Sequence, residues 1–292
     1  MTTPTSPPQE IELKLLFPAA TRPDLDRHPL LRDALVSGVV HQHLLTTYYD
    51  TPALALYGQG LSLRVRQSDG DHIQTLKSDA MGGGLASTRN EWEWPVATNR
   101  PDTTLLARTP AAAFGPALAE NLVPVLVSDI RRSVRLVAYG GAMIEVAIDE
   151  GTVRAGGREE PVRELELELK GGSVLQVYRL AQHLLADLPL RIGVETKAGR
   201  GYRLLRGGSP EPVAGPVLLP APKTPTRSAF RLTFRSQPAV PPGNLGAAEA
   251  GPPDGIHDLL VAIRKPRTVL PPFAPCLHPL PRDRFDAATR CL

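Results

Sequence analysis

The sequence predicts a mainly β fold of α+β type, in which antiparallel strands close on themselves around a charged interior. Three observations predict it. Five segments alternate charged with apolar or aromatic residues: Glu10-Ile11-Glu12-Leu13-Lys14, Ser62-Leu63-Arg64-Val65-Arg66, Arg89-Asn90-Glu91-Trp92-Glu93, Glu145-Val146-Ala147-Ile148-Asp149 and Glu164-Leu165-Glu166-Leu167-Glu168-Leu169-Lys170. Successive strand side chains point to opposite faces, so each segment carries one charged face and one mostly apolar face. One such strand is an ordinary half-wet strand, whereas strand after strand with a charged face describes a closed sheet with charges inside. Finally, many strands at short spacing with few helices between them favour an antiparallel barrel over a parallel α/β sheet.

The elements follow in chain order. The first strand runs to about Phe17. Residues 23–36 carry an apolar stripe of Leu25, Leu30, Leu31, Ala34 and Leu35, which reads as a core-facing helix. A strand over His41–Asp50 ends in Asp50-Thr51-Pro52, a cap for a short helix over Ala53–Tyr57. Strands to Gln67 and over His72–Ser78 are joined by Ser68-Asp69-Gly70-Asp71, a hairpin signal. Strand Ser87–Val96 points Trp92 and Trp94 to the core, and helices or loop follow over Thr98–Ala119. Long strands over Val123–Tyr139, Ala142–Arg154 and Val162–Lys170 are separated by Gly140-Gly141 and Gly156-Gly157. Ser173–Leu185 reads as a helix, and Leu190–Leu205 as a last strand region. After Arg206 the composition changes: residues 207–225 form a Pro/Gly-rich linker, and 226–292 a partly disordered helical tail in which Pro266 would cost about 3 kcal/mol inside a helix.

Composition sets the remaining bounds. The chain has 292 residues, 42% hydrophobic and 22% charged, which describes a soluble globular protein with ample core. A net charge of +3 gives no sign of a nucleic-acid partner, so the arrangement of charge matters more than its sum. Cys276 and Cys291 offer neither metal spacing nor a disulfide framework. Residues Met1–Gln9 lack a basic n-region and an apolar h-region, and no run approaches a membrane span. A cytoplasmic protein with no membrane partner is expected.

The charged face collects the anions Glu10, Glu12, Glu91, Glu93, Glu145, Asp149, Glu164, Glu166 and Glu168, and the cations Lys14, Arg64, Arg66, Lys77, Arg89, Arg131, Arg135 and Lys197. Burying so many charges without a ligand would be costly. The face is therefore either wet and structural, or wrapped around a charged ligand and its metal. Arginine forks and lysine ammoniums match phosphate oxygens. Carboxylates without His or Cys suit a hard cation such as Mg2+ or Mn2+. A polyphosphate with a divalent metal satisfies both sets.

The motifs together resemble the CYTH group of triphosphate tunnel metalloenzymes over residues 8–206. They are Glu10-x-Glu12-x-Lys14, Tyr49-Asp50-Thr51-Pro52, Leu63-Arg64-Val65-Arg66, Thr75-Leu76-Lys77, Ile144 to Gly151, Glu164 to Lys170 and Lys197-Ala198-Gly199-Arg200-Gly201-Tyr202. The resemblance implies an eight-stranded antiparallel tunnel. It implies that Glu10, Glu12, Glu166 and Glu168 bind metal, and that Arg64, Arg66, Lys77, Arg131 and Lys197 hold a triphosphate. Arg132 could fill the slot of Arg131, but alternation with Ile130, Val134 and Leu136 puts Arg132 on the core side. Lys14 or Lys77 would help position or activate the attacking water. Gly255-Ile256-His257-Asp258-Leu259-Leu260-Val261-Ala262-Ile263-Arg264-Lys265-Pro266-Arg267 resembles the opening motif of CHAD domains, which are basic, helical and polyphosphate-binding, and here reads as a truncated remnant. The implied activity is metal-dependent hydrolysis of inorganic triphosphate. Thiamine triphosphatase and adenylate cyclase of the same fold, and a non-catalytic polyphosphate binder, are the alternatives.

Overall fold

Nine strands make one antiparallel sheet in a computed structural model that describes residues 9–78 and 87–208, together with 224, 225 and 228. They are β1 (Gln9–Leu16), β2 (Val40–Asp50), β3 (Leu61–Ser68), β4 (Asp71–Ser78), β5 (Ser87–Val96), β6 (Val123–Tyr139), β7 (Ala142–Ala155), β8 (Arg158–Gly171) and β9 (Arg191–Gly193). The order is β5-β4-β3-β2-β6-β7-β8-β1-β9, with a further pairing of β5 to β1. That pairing closes the barrel. One edge of β1 meets β8 over Glu12–Leu16, while the other meets β5 over Gln9–Glu12 and then β9 over Lys14–Leu16. Eight strands thus form the ring, as expected, and β9 extends the last edge. The hairpins joining β6 to β7 and β7 to β8 turn on Gly140-Gly141 and Gly156-Gly157, all four with positive φ, the turn whose twist matches that of the strands.

Among the described residues six α-helices accompany the sheet: α1 (Arg22–Arg27), α2 (Pro29–Arg32), α3 (Ala55–Gly58), α4 (Ala117–Asn121), α5 (Val174–Asp187) and α6 (Lys197–Leu205). None among the described residues is long and apolar enough to cross a membrane. Ser173 caps α5 by accepting from the Leu175 amide, and its buried stripe of Val177, Leu180, Ala181 and Leu184 covers the outer face of β1 and β8. Leu13, Leu15, Leu165 and Leu167 there are fully buried. A second outer core joins Leu63, Val65 and Leu76 to Leu106, Ala111 and Leu118 of the β5–β6 connection, with Trp92 and Trp94 packed against it.

A third cluster lies inside the ring. Tyr202 and Leu204 of α6 pack against Leu44, Tyr48, Leu126, Ile130, Val153 and Val162. Helix α6 therefore stoppers one end of the barrel with an apolar plug. Fully buried Asp50 fastens it: Oδ2 accepts from the Tyr202 hydroxyl at 3.0 Å and the Tyr57 amide at 3.0 Å, while Oδ1 accepts from the Thr51 and Leu56 amides.

Two element assignments are corrected. The single helix expected over 23–36 is α1 and α2, because Pro29 forces His28 into an extended conformation (ψ 126°) that breaks the helix. The strand region expected over Leu190–Leu205 contains only the short β9. From Lys197 onward it is helix α6, started by Thr196, whose hydroxyl accepts from the Gly199 amide at 2.9 Å. The linker, the tail and the CHAD-like stretch fall almost wholly outside the described residues.

Candidate active site

The lumen holds a cavity of about 470 Å³. Its wall includes Glu10, Glu12 and Lys14 of β1, Arg64 and Arg66 of β3, Lys77 of β4, Glu91 and Glu93 of β5, and Arg132 of β6. Glu145 and Asp149 of β7, Glu166, Glu168 and Lys170 of β8, and Thr196 and Lys197 at the start of α6 complete the charged lining. Nine of the ten residues expected to form the site line this one cavity: Glu10, Glu12, Lys14, Arg64, Arg66, Lys77, Glu166, Glu168 and Lys197.

Arg131 is the exception, and its expected position is corrected. It is exposed on the outside of β6, opposite His43 of β2. Arg132 points inward instead. Its Nε and Nη2 donate to the two carboxylate oxygens of Asp149 at 2.7 and 2.6 Å, and Nη2 also reaches Glu166 at 2.6 Å. Apolar β6 residues were expected to mark the outer core. Here Leu126 and Ile130 face inward, because the α6 plug gives the lumen an apolar end. The odd-numbered residues Ser133 and Arg135 lie outside, buried beneath α1, where Arg135 pairs with Asp26 at 2.7 Å and Arg22 donates to Ser133. Arg135 is therefore also removed from the lumen set.

The charges sort into two groups. Near the plug, carboxylate oxygens of Asp149, Glu164 and Glu166 lie within 4.8 Å of one another. Cations saturate them. Lys197 contacts Asp149 at 2.8 Å, Glu164 at 2.8 Å and Glu166 at 2.7 Å. Lys14 contacts Glu164 at 2.9 Å and Glu166 at 3.2 Å. Burial pushes the Glu164 carboxyl up, yet the Lys14 and Lys197 ammoniums outweigh it and hold the group at about 2. Burial likewise opposes ionisation of Glu166, and Lys197, Lys14 and Arg132 hold it well below the ordinary carboxylate range. The same partners overcome burial at Lys14 and Lys197 and raise both above the usual lysine value, so both stay protonated.

The second group spans β1, β8 and β7. The register sets Glu12 opposite Glu168, and Glu168 opposite Glu145. Burial and the neighbouring Glu166 charge lift the Glu12 carboxyl to about 7, and burial also raises Glu168 although Lys170 lies at 2.7 Å. Glu10 is held at about 2: burial opposes ionisation, but Lys77 at 2.7 Å prevails. Like charges directly opposite on a sheet repel. An all-oxygen row of this kind suits a hard divalent cation. Glu10 and Glu168 each meet one ammonium at 2.7 Å, whereas fully buried Asp149 and Glu164 are each held by two or more cationic donors, so Glu10, Glu12 and Glu168 fit that group better.

Facing this row, Lys77 also reaches Glu91 at 3.1 Å, and Arg64 approaches Glu91 at 3.6 Å. Arg66 lies 3.5 Å from Glu93, and the Thr75 hydroxyl donates to Glu93 at 3.0 Å. The lumen thus sets carboxylates beside cations at distances that an anion and its counter-cation could divide between them. Asp50, Glu195 and Arg200, which complete the α6 attachment, were not singled out from the sequence. Asp50 and Arg200 stand within the motifs Tyr49-Asp50-Thr51-Pro52 and Lys197 to Tyr202, but neither was given a role there beyond the local cap of Asp50.

The chain is 32% identical over 198 residues to the inorganic triphosphatase of Haemophilus influenzae, an alignment covering 67% of this chain and 55% of that protein, so the chain spans about half the length of this relative. Among solved structures it is similar to an adenylyl cyclase candidate from Hippeastrum described as having a dominant triphosphatase activity, at 19% identity, 68% and 95% coverage of the two chains and a TM-score of 0.48. A protein from Bacillus halodurans named for adenylate cyclase is similar at 18% identity, 65% and 96% coverage and a TM-score of 0.39. Residues 8–202 match the CYTH domain, and the chain belongs to the CYTH domain family.

Proposed function

We propose that the chain is a metal-dependent triphosphatase, hydrolysing inorganic triphosphate to pyrophosphate and phosphate in its lumen with Mg2+ or Mn2+. One observation carries the reading: one lumen cavity in which Arg64, Arg66, Lys77, Arg132 and Lys197 face the carboxylates Glu10, Glu12 and Glu168. The cations hold phosphate oxygens, Arg132 taking the place first given to Arg131. Glu10, Glu12 and Glu168 would hold the divalent ion, with Glu166 at the boundary between it and the cationic group. When bound, that ion would supply positive charge to offset that of the phosphate oxygens. The water oxygen bonds to the terminal phosphorus in line with the departing group, the bridging P–O bond breaks, the water's proton passes to a phosphate oxygen or to solvent, and pyrophosphate leaves. Lys14 and Lys197, kept protonated by their carboxylate partners, act as donors rather than bases and stabilise charge as it develops.

Among the described residues the lumen lining is mainly charged, with Tyr48 and Tyr202 buried in the plug and Tyr57 stacked on Tyr202 at 4.2 Å. A lining of this kind favours an all-phosphate substrate over nucleoside and thiamine triphosphates. A cytoplasmic location and an auxiliary polyphosphate-binding role for the tail belong to the same proposal. The test is phosphate release from tripolyphosphate, ATP and thiamine triphosphate, each with Mg2+ and with Mn2+. Fastest release from tripolyphosphate supports the reading. Binding without release from any of them would make the protein a phosphate-chain receptor.

A further inference from the structure

Arg200 lies behind the lumen wall. It sits on α6 one turn after Lys197, is 6% exposed, and does not line the cavity; nor does its partner Glu164, which is fully buried. The guanidinium fork divides between two acceptors. Nη1 donates to the Pro161 carbonyl at 2.7 Å, and Nη2 donates to Oε1 of Glu164 at 3.1 Å. The other oxygen of Glu164, Oε2, accepts from Lys14 at 2.9 Å and from Lys197 at 2.8 Å. A continuous relay thus runs from the backbone of β8 through Arg200 and Glu164 to both lumen lysines. Outside it, the Arg200 Nε lies 3.4 Å from Glu160 and 3.8 Å from Glu195, which are shared with Arg203.

A lysine carries its charge on a flexible four-carbon stem, with about 2 kcal/mol of rotamer entropy. Held by a fixed acceptor, its ammonium is placed before substrate arrives, and preorganisation of that kind lowers the cost of reaching the transition state. A carboxylate can be that acceptor only if its own plane is fixed. Glu166 also contacts both lysines, and Asp149 contacts Lys197. Glu164 is the acceptor that hydrogen-bonds both through one oxygen, so whatever fixes its other oxygen helps set the direction of both. Arginine suits this task because its planar fork can hold a carbonyl and a carboxylate at once, which a single ammonium does not.

We propose that Arg200 is a positioning residue, which through Glu164 fixes where Lys14 and Lys197 present their ammoniums to a triphosphate. The inference rests on the triphosphatase reading of the lumen. Were Arg200 only a brace between α6 and β8, its loss would lower stability and leave the two lysines where they are.

The test uses charge-conserving variants of the full chain: Arg200→Lys, Glu164→Asp and the double variant. Lysine ammonium NMR with ¹⁵N-lysine reads the geometry directly, the Lys14 and Lys197 signals being identified from Lys14→Arg and Lys197→Arg. In the wild type both ammoniums give slowly exchanging signals. In Arg200→Lys both should broaden or vanish, with kcat/KM on tripolyphosphate falling about 10- to 100-fold. Glu164→Asp should do the same, and the double variant should be no worse than Glu164→Asp alone, because the two act in series. Retention of both ammonium signals in Arg200→Lys, or independent losses that multiply in the double variant, would overturn the proposal. If Arg200→Lys does not fold, the ammonium signals of Glu164→Asp decide alone: their loss supports the relay and their retention refutes it. A wild type that releases no phosphate would defeat the triphosphatase reading, while the ammonium signals would still judge Arg200.

Discussion

Adjacent arginines on β6 give the sharpest test of the lumen. Arg132 makes three charge-assisted bonds inside the barrel, two to Asp149 and one to Glu166. Arg131, one residue earlier, is exposed on the outer face. Removing one partner of a buried pair costs about 3–5 kcal/mol when the other charge is left alone. Here it is not left alone, because Lys197 still contacts Asp149 at 2.8 Å and Glu166 at 2.7 Å. Arg132→Ala should therefore cost less, about 2 kcal/mol, or about 4–8 °C in Tm for a domain of this size. Its effect on activity should be larger. A charge-assisted bond to phosphate contributes about 1.5–3 kcal/mol, which is about 10- to 150-fold in kcat/KM. Added metal should not restore it, since a lost guanidinium fork is not a lost metal ligand. Arg131→Ala should stay within about 0.5 kcal/mol in stability, and about twofold in rate. The assay is steady-state phosphate release from tripolyphosphate over a range of metal concentrations, with thermal melts alongside. A loss in Arg131→Ala equal to or greater than that in Arg132→Ala would refute the inward assignment of β6.

Further outcomes are expected. Glu168→Gln keeps the side-chain shape and removes a carboxylate from the row shared with Glu12 and Glu145; turnover should fall by about 100-fold, and raised Mg2+ or Mn2+ should recover part of it. Wild-type metal dependence in this variant would exclude Glu168 from the metal set. Glu164 is held at about 2 in the folded chain, below its ordinary value of 4.5, so it contributes stability above that value and loses it as pH falls from 4.5 toward 2. Melts of Glu164→Gln across this window should be flatter than those of the wild type, and parallel curves would contradict the ion-pair assignment. Tyr202→Phe removes the hydroxyl that Asp50 accepts and should cost about 1.5–3 kcal/mol, seen as a lower denaturant midpoint. An unchanged midpoint would mean that Asp50 does not anchor α6.

Much of the barrel was legible because closed sheets repeat a period of two, and β1, β3, β5, β7 and β8 each carry that period in charge. Strand β6 was read out of phase for a physical reason. Alternation reports only that two faces differ, and an apolar residue marks the outside of a barrel only while its inside stays polar. Helix α6 inverts that rule at Leu126 and Ile130 by filling the lumen with Tyr202 and Leu204. The helix was itself misread, since Gly199 and Gly201 lower helix propensity, and the capping Thr196 stood beside a motif lysine that drew attention to charge. Gly201 earns its place through packing: a Cβ there would lie 2.5 Å from the Leu126 side chain. Networks such as Asp50–Tyr202 and Glu164–Arg200 join residues about 150 and 36 positions apart. No local pattern reports such partners.

Among the described residues, the plug of Tyr202 and Leu204 fills one end of the barrel, so the lumen is entered from the other. Whatever enters must back out the way it came, so both products share one exit, and the product lying nearer the mouth must clear before the deeper one can follow. Tripolyphosphate hydrolysis would then show ordered release, with the inner product, last to leave, inhibiting competitively and the outer one not. A phosphate chain longer than the cavity could insert only an end, never thread through. It would be shortened from its tips, one unit at a time, and a ring of phosphates, having no tip to offer, would be left whole.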